Sequence, residues 1–135
     1  MVHLDKEPFI GQRALREEQK RGGAPRRLVG LEIHWPEVEK IYERVGLAPQ
    51  APTCASRVAV PVFSNGSQVG KATSTAWSPL LKKMIALASV RADCAFPGTT
   101  LQMEITVEAV HYPVGVTVKE LPFFNPPRKS AALGA

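Results

Sequence analysis

The apolar and polar positions of this chain fall into short alternating blocks cut by proline, glycine and Asn-Gly. The pattern is densest from Arg57 to Val90. Val58, Val60 and Val62 alternate with Ala59 and Pro61, a period of two that predicts a strand with one buried face. Ser64-Asn65-Gly66-Ser67 supplies the positive φ angles of a tight hairpin turn, and Gln68 to Ala72 returns as the second strand. Thr73-Ser74-Thr75 reads as a polar loop before Ala76-Trp77-Ser78-Pro79, and Met84 to Val90 is apolar and short enough for a buried strand. Leu28 to Ile33 predicts a first strand upstream, and Leu101 to Val107 alternates downstream. Ala109 to Lys119 predicts one more, interrupted by Pro113 and Gly115, which a bulge or an edge position tolerates.

Two segments switch to helical spacing. Phe9 to Gln19 can place Phe9, Ile10 and Leu15 on one face with Arg13, Arg16, Glu17 and Lys20 pointing away, and Gly22-Gly23 stops it. Pro36 suits the first turn of a second helix, with Val38, Ile41, Tyr42 and Val45 on one face and Gly46 as terminator. A half-buried sheet of about six strands leaves open edges unless it closes. The expected fold is therefore all-β dominated, a Greek-key β-barrel of about six strands with an N-terminal helix and a short inserted helix. Residues 1–135 are expected to form a single domain: a helical lead-in over 1–25, the barrel over 26–125 and a flexible tail over 126–135.

Composition narrows the class. The 135 residues are 44% hydrophobic and 21% charged, ordinary for one globular domain. No apolar run approaches the ~18 residues of a membrane span, and the first residues lack the apolar core of a secretory leader. Cys54 and Cys94 show no paired spacing, so reduced thiols and a cytoplasmic location are expected. The net charge of +5 favours an acidic partner, met by Arg13, Arg16, Lys20, Arg26 and Arg27. That surface supports a reading as a non-catalytic binding module for an acidic carrier protein or nucleic acid.

Candidate chemistry is sparse. His3, His34 and His111 lack a second ligand at metal spacing, and neither a phosphate loop nor a nucleophile elbow is present, so no catalytic residue and no metal site are assigned. Thr73, Ser74, Trp77, Ser78, Lys82 and Lys83 combine a stacking face with cations and suit a wall for an aromatic, anionic ligand. The competing reading is that Trp77 anchors its segment to the core while both lysines are solvated. In the tail, Phe123 is expected in the core and Arg128 is placed to reach a carboxylate on a neighbouring domain's ligand.

The order of short motifs adds a resemblance. It runs through Phe9-Ile10-Gly11-Gln12-Arg13-Ala14-Leu15, Arg26-Arg27-Leu28-Val29-Gly30-Leu31, Pro61-Val62-Phe63 and Val69-Gly70-Lys71-Ala72-Thr73-Ser74. It continues with Ser78-Pro79-Leu80-Leu81-Lys82-Lys83, Ile85-Ala86-Leu87-Ala88, Pro97-Gly98-Thr99 and Leu121-Pro122-Phe123-Phe124. From about Phe9 to Arg128 the chain resembles the C-terminal region of the aminomethyltransferase family, the glycine cleavage system T-protein. It departs from that family at Thr75, where glycine is usual, at Met84, where asparagine is frequent, and in the length of the segment from Pro36 to Leu47.

The resemblance implies a small barrel that braces a larger folate-binding region. That region cradles tetrahydrofolate and carries the acidic residue held essential for aminomethyl transfer from a lipoyl carrier protein. This chain begins where such a region would have ended. The implied partner is therefore a folate-binding domain acting in trans or lost from the gene, with a lipoyl carrier protein and a homodimer as further associations. The barrel half is expected to be inactive alone, to expose an apolar docking face that favours self-association, and to offer Trp77, Lys82 and Arg128 as cofactor-contacting residues. No membrane association is expected.

Overall fold

A computed structural model describes residues 2–129 of the chain. Six strands account for most of it: β1 (Arg26–Ile33), β2 (Val60–Ser64), β3 (Ser67–Ser78), β4 (Lys83–Arg91), β5 (Thr100–Val107) and β6 (Val110–Lys119). Two α-helices complete it, α1 (Gln12–Lys20) ahead of β1 and α2 (Trp35–Arg44) between β1 and β2. The strands close in the order β1-β4-β3-β2-β5-β6, all neighbours antiparallel. Three hairpin-linked strands, β2 to β4, are followed by β5 returning beside β2, which is the Greek-key connection expected from the alternating pattern.

Closure depends on two short seams. β1 meets β6 only from Gly30–Lys119 to Ile33–Val116, and β2 meets β5 only at Val62–Met103 and Phe63–Gln102. Inward residues of every strand fill the barrel: Leu31, Val62, Ala72, Ala88, Val90, Leu101, Met103, Val114, Val116 and Val118 are all essentially inaccessible. Val38 and Ile41, on the apolar face of α2, are buried as well, so the inserted helix closes one end of the barrel.

Local chemistry explains most boundaries. Asn65 and Gly66 both take positive φ, 49° and 77°, the turn that a two-residue hairpin between right-twisted strands requires. Gly46 at φ 71° ends α2, and the Leu47 N–H returns to the Tyr42 carbonyl at 3.0 Å. β6 runs unbroken through Pro113 and Gly115, because both sit where the strand turns its outer edge away from β5 and β1 pairing has not yet begun.

Four expectations are corrected. Thr73-Ser74-Thr75 is not a loop: it lies within β3, where Ala72 opposes Ala88 and Ser74 opposes Leu87, leaving Thr73 as the extra residue of a bulge. α1 begins at Gln12 rather than Phe9, since Gly11 takes φ 91° and breaks the helical path; Ile10 is fully exposed and Phe9 lies under the Lys6 ammonium instead. β2 starts at Val60, not Val58, because Ser56 pairs with Thr75 and draws the preceding chain away, leaving Val58 exposed. Phe123 packs outside the barrel, its ring covering the outward face of Gly30, and is not part of the core. Pro127–Lys129 forms one turn of 3-10 helix, and the rest of the expected flexible tail lies outside the described residues.

Candidate functional site

The end of the barrel closed by α2 gathers most of the unusual residues. His34 precedes the helix, and its two ring nitrogens meet Glu37 Oε1 at 3.2 Å and Thr117 Oγ1 at 2.8 Å. Glu37 Oε2 accepts the Gly115 N–H at 2.7 Å, while the Gly115 carbonyl accepts the His34 N–H at 2.9 Å. The helix start is thereby clasped to the outer edge of β6. Gly115 permits this approach: a Cβ there would lie 2.6 Å from His34 Nδ1 and 2.8 Å from Glu37 Oε1. Next to the clasp, Trp35 meets Trp77 of β3 edge to face, with ring centroids 5.1 Å apart. Trp35 Nε1 donates to Glu39 Oε1 at 2.8 Å.

The Gly115 N–H, outweighing partial burial and helped by His34, holds the Glu37 carboxyl below its ordinary value. The folded chain then binds this proton less readily than the unfolded chain. The stabilisation is present above the ordinary carboxylate range and is lost as pH falls through the lowered value. Acidification is therefore expected to loosen α2. Glu37→Gln keeps an acceptor for Gly115 but cannot titrate, so its tryptophan emission should lose the acid-side change seen for the unaltered chain. An identical acid transition in both would show that the clasp does not depend on this carboxylate.

Beneath α2 lies a cavity of about 570 Å³. Its apolar lining includes Val38, Val60, Met84, Met103 and Ile105, and the segment from Gln50 to Ser56 forms its outer lip. Glu104 is the one charged residue of the lining, and no lysine or arginine borders it. Such a lining suits an apolar or cationic occupant. It does not suit a folate, whose glutamate carboxylates need cations.

The candidate ligand residues are placed apart from this chamber. Trp77 is half-buried in β3 with one side taken by Trp35. Lys82 is exposed in the turn from β3 to β4 at φ 52°. Arg128 is exposed in the terminal 3-10 turn. None of the three borders the cavity. Lys83, grouped with them by sequence, instead binds Glu32 Oε1 at 2.7 Å across the β1–β4 seam, with Lys119 Nζ 3.5 Å from Oε2. Among the described residues no group of three or more His, Cys, Asp or Glu is arranged for a metal ion, and no helix is long and apolar enough to cross a membrane. The residues that sequence reading missed here are Trp35, His34, Glu37 and Gly115. A signal for them existed in the aromatic before Pro36 and the His-x-x-Glu spacing at a helix start, but their partners on β3 and β6 are distant in the chain.

The fold defines this as a small Greek-key barrel domain, closed at one end by an inserted helix. The chain belongs to the glycine cleavage T-protein C-terminal barrel domain family, whose sequence profile matches residues 42–125. It is 34% identical over 128 residues to the aminomethyltransferase of Bacillus velezensis, covering 95% of this chain and 29% of that protein. It is 35% identical over 129 residues to the aminomethyltransferase of Acidobacterium capsulatum, again 95% of this chain and 29% of that one. The crystal structure of glycine cleavage system aminomethyltransferase T from Bartonella henselae shares the fold, with a TM-score of 0.63 and 22% identity over 90% of this chain and 28% of that one. The chain thus spans under a third of the length of the curated relatives it matches.

Proposed function

We propose that this chain is the bracing barrel of an aminomethyl-transfer system and that a folate-binding region outside these residues carries the chemistry. The observation behind this reading is the match over nearly the whole chain to the terminal portion of aminomethyltransferases, joined to a structure whose cavity carries a carboxylate and no cation. Tetrahydrofolate is then held mainly by that region. Trp77, Lys82 and Arg128 are the residues of this chain proposed to border that ligand, each exposed or half-buried and reachable from outside. A lipoyl carrier protein is the proposed donor of the aminomethyl group.

The test is complementation. A relative truncated to remove its own terminal barrel is mixed with this chain, and ammonia release is followed with tetrahydrofolate and an aminomethyl-loaded carrier. Activity is expected only from the mixture. Turnover by this chain alone would refute the division of labour, and a mixture as silent as its parts would refute the bracing role.

A further inference from the structure

The bulge in β3 re-aims one polar side chain. A period of two counted from the buried Ala72 would turn Ser74 inward and Thr75 out. The extra residue at Thr73 reverses this: Ser74 opposes Leu87, and Thr75 opposes Ala86, a buried residue of the core. Directly opposed residues share one face of an antiparallel pair, so Thr75 faces the barrel interior. It is only 8% exposed, and Ser56 takes both of its backbone groups. Among the described residues its hydroxyl has no hydrogen-bond partner, yet no polar side-chain atom sealed from solvent lacks one. The hydroxyl therefore opens onto the cavity beneath α2, whose wall Thr75 joins.

That cavity, at about 570 Å³, has the size of a small-molecule site. It exists because β2 is short. β2 lies between β3 and β5, and ahead of Val60 the chain leaves the barrel wall to bridge Ser56 to Thr75. The space left between β3 and β5 is lined by Val60, Met84, Met103 and Ile105. Glu104 stands on the β5 side, across from Thr75 on β3. Its neighbours Met103 and Ile105 pack on the core, so alternation puts the Glu104 side chain on the outer side of β5, at the mouth of the cavity. Among the described residues this half-buried carboxylate has no ion-pair or hydrogen-bond partner.

We propose that this cavity binds a compact primary amine with an apolar body and a neutral hydroxyl at its far end. The body fills the apolar space, where removal from water drives binding. The hydroxyl pairs with that of Thr75, which otherwise stands unpartnered in an apolar wall. The ammonium stays at the mouth against Glu104, where no lysine or arginine of the lining competes for the carboxylate. The same carboxylate disfavours an acid of equal shape. A hydroxyphenyl alkylamine carries these parts in this order. The inference is independent of the proposed function, because the cavity borders none of Trp77, Lys82 and Arg128.

The probes are tyramine, phenethylamine, which lacks the hydroxyl, and phloretate, which has a carboxylate in place of the ammonium. Each is titrated into the full chain while the methyl signals of Val60, Met84, Met103 and Ile105 are followed by NMR. Tyramine is expected to shift them with a Kd below about 1 mM. Phenethylamine is expected to bind about fivefold more weakly, and phloretate at least about tenfold more weakly. Thr75→Val keeps the shape of the side chain and breaks no internal hydrogen bond. It should make tyramine and phenethylamine equal while preserving the preference over phloretate. Glu104→Gln should do the reverse, removing the preference over phloretate and keeping that over phenethylamine. The proposal is overturned by no binding of tyramine at about 5 mM, by shifts centred away from these methyls, or by preferences that neither variant changes.

Discussion

Gly70→Ala is expected to destabilise the chain by about 3 kcal/mol, at the upper end of what overpacking does. Gly70 lies in β3, between Val62 of β2 and Val90 of β4. A Cβ there would overlap the Ser89 carbonyl oxygen and stand 2.8 Å from both Cα and Cγ1 of Val90. Two of those three atoms belong to the β4 backbone, which cannot move without opening the ladder on both of its sides. Gly30→Ala offers the contrast. Its Cβ would meet the far edge of the Phe123 ring at 2.6 Å, outside the barrel, and that ring can swing into solvent. A loss of about 1 kcal/mol is expected there. Urea unfolding of both variants with an unchanged slope measures the difference. A Gly70→Ala midpoint within error of the unaltered chain would mean that β3 and β4 are not packed as closely as described.

What the sequence made legible follows from how local each signal is. Asn65-Gly66 fixes a hairpin by its own dihedral preferences, the short apolar run of β4 marks a buried strand, and the alternation in β5 survives because one face is buried along most of its length. α2 was readable for the same reason, through Val38 and Ile41 at helical spacing. The misreadings arise where a distant partner decides. Thr73 to Thr75 look like loop residues, yet β-branched threonines fit a strand once Leu87 and Ser56 supply partners. Val58 continues an alternating run that the Ser56–Thr75 bridge pulls off course. Pro113 and Gly115 looked like interruptions of β6 and are in fact placed where its outer edge is unpaired by a strand.

The site divides in the same way. Trp77 could be singled out as an aromatic among polar residues, but nothing in its neighbourhood names Trp35 as the ring it touches. Glu37 reads as a first-turn acid of a helix, which it is, while its second role depends on Gly115, far along the chain. Glu32, flanked by apolar residues in β1, gave no hint of its two lysine partners. Burial raises its carboxyl, and the ammonium groups of Lys83 and Lys119 more than offset that and lower it. Each case needs the closed barrel, because closure brings β1, β3 and β6 to one end.

Trp77→Ala is expected to destabilise the chain by about 2–3 kcal/mol, because the half-buried ring is the surface on which Trp35 and the start of α2 rest. Trp77→Phe should recover most of that loss, since a smaller ring still offers a face to Trp35. A double-mutant cycle with Trp35→Ala should give a coupling of about 0.5–1.5 kcal/mol, the range for aromatic pairs beyond their burial. The cycle separates the two readings of Trp77. If the ring serves chiefly as a wall for an external aromatic ligand, its removal leaves the unfolding midpoint unchanged and the coupling near zero, and the loss shows only in assays with the complementing folate-binding polypeptide. If it anchors α2, the loss appears in the isolated chain, and the Glu37–Gly115 clasp weakens with it, because both hold the same first turn of the helix. With the rings 5.1 Å apart and edge to face, an anchoring role predicts that Trp77→Ala and Glu37→Gln are not additive.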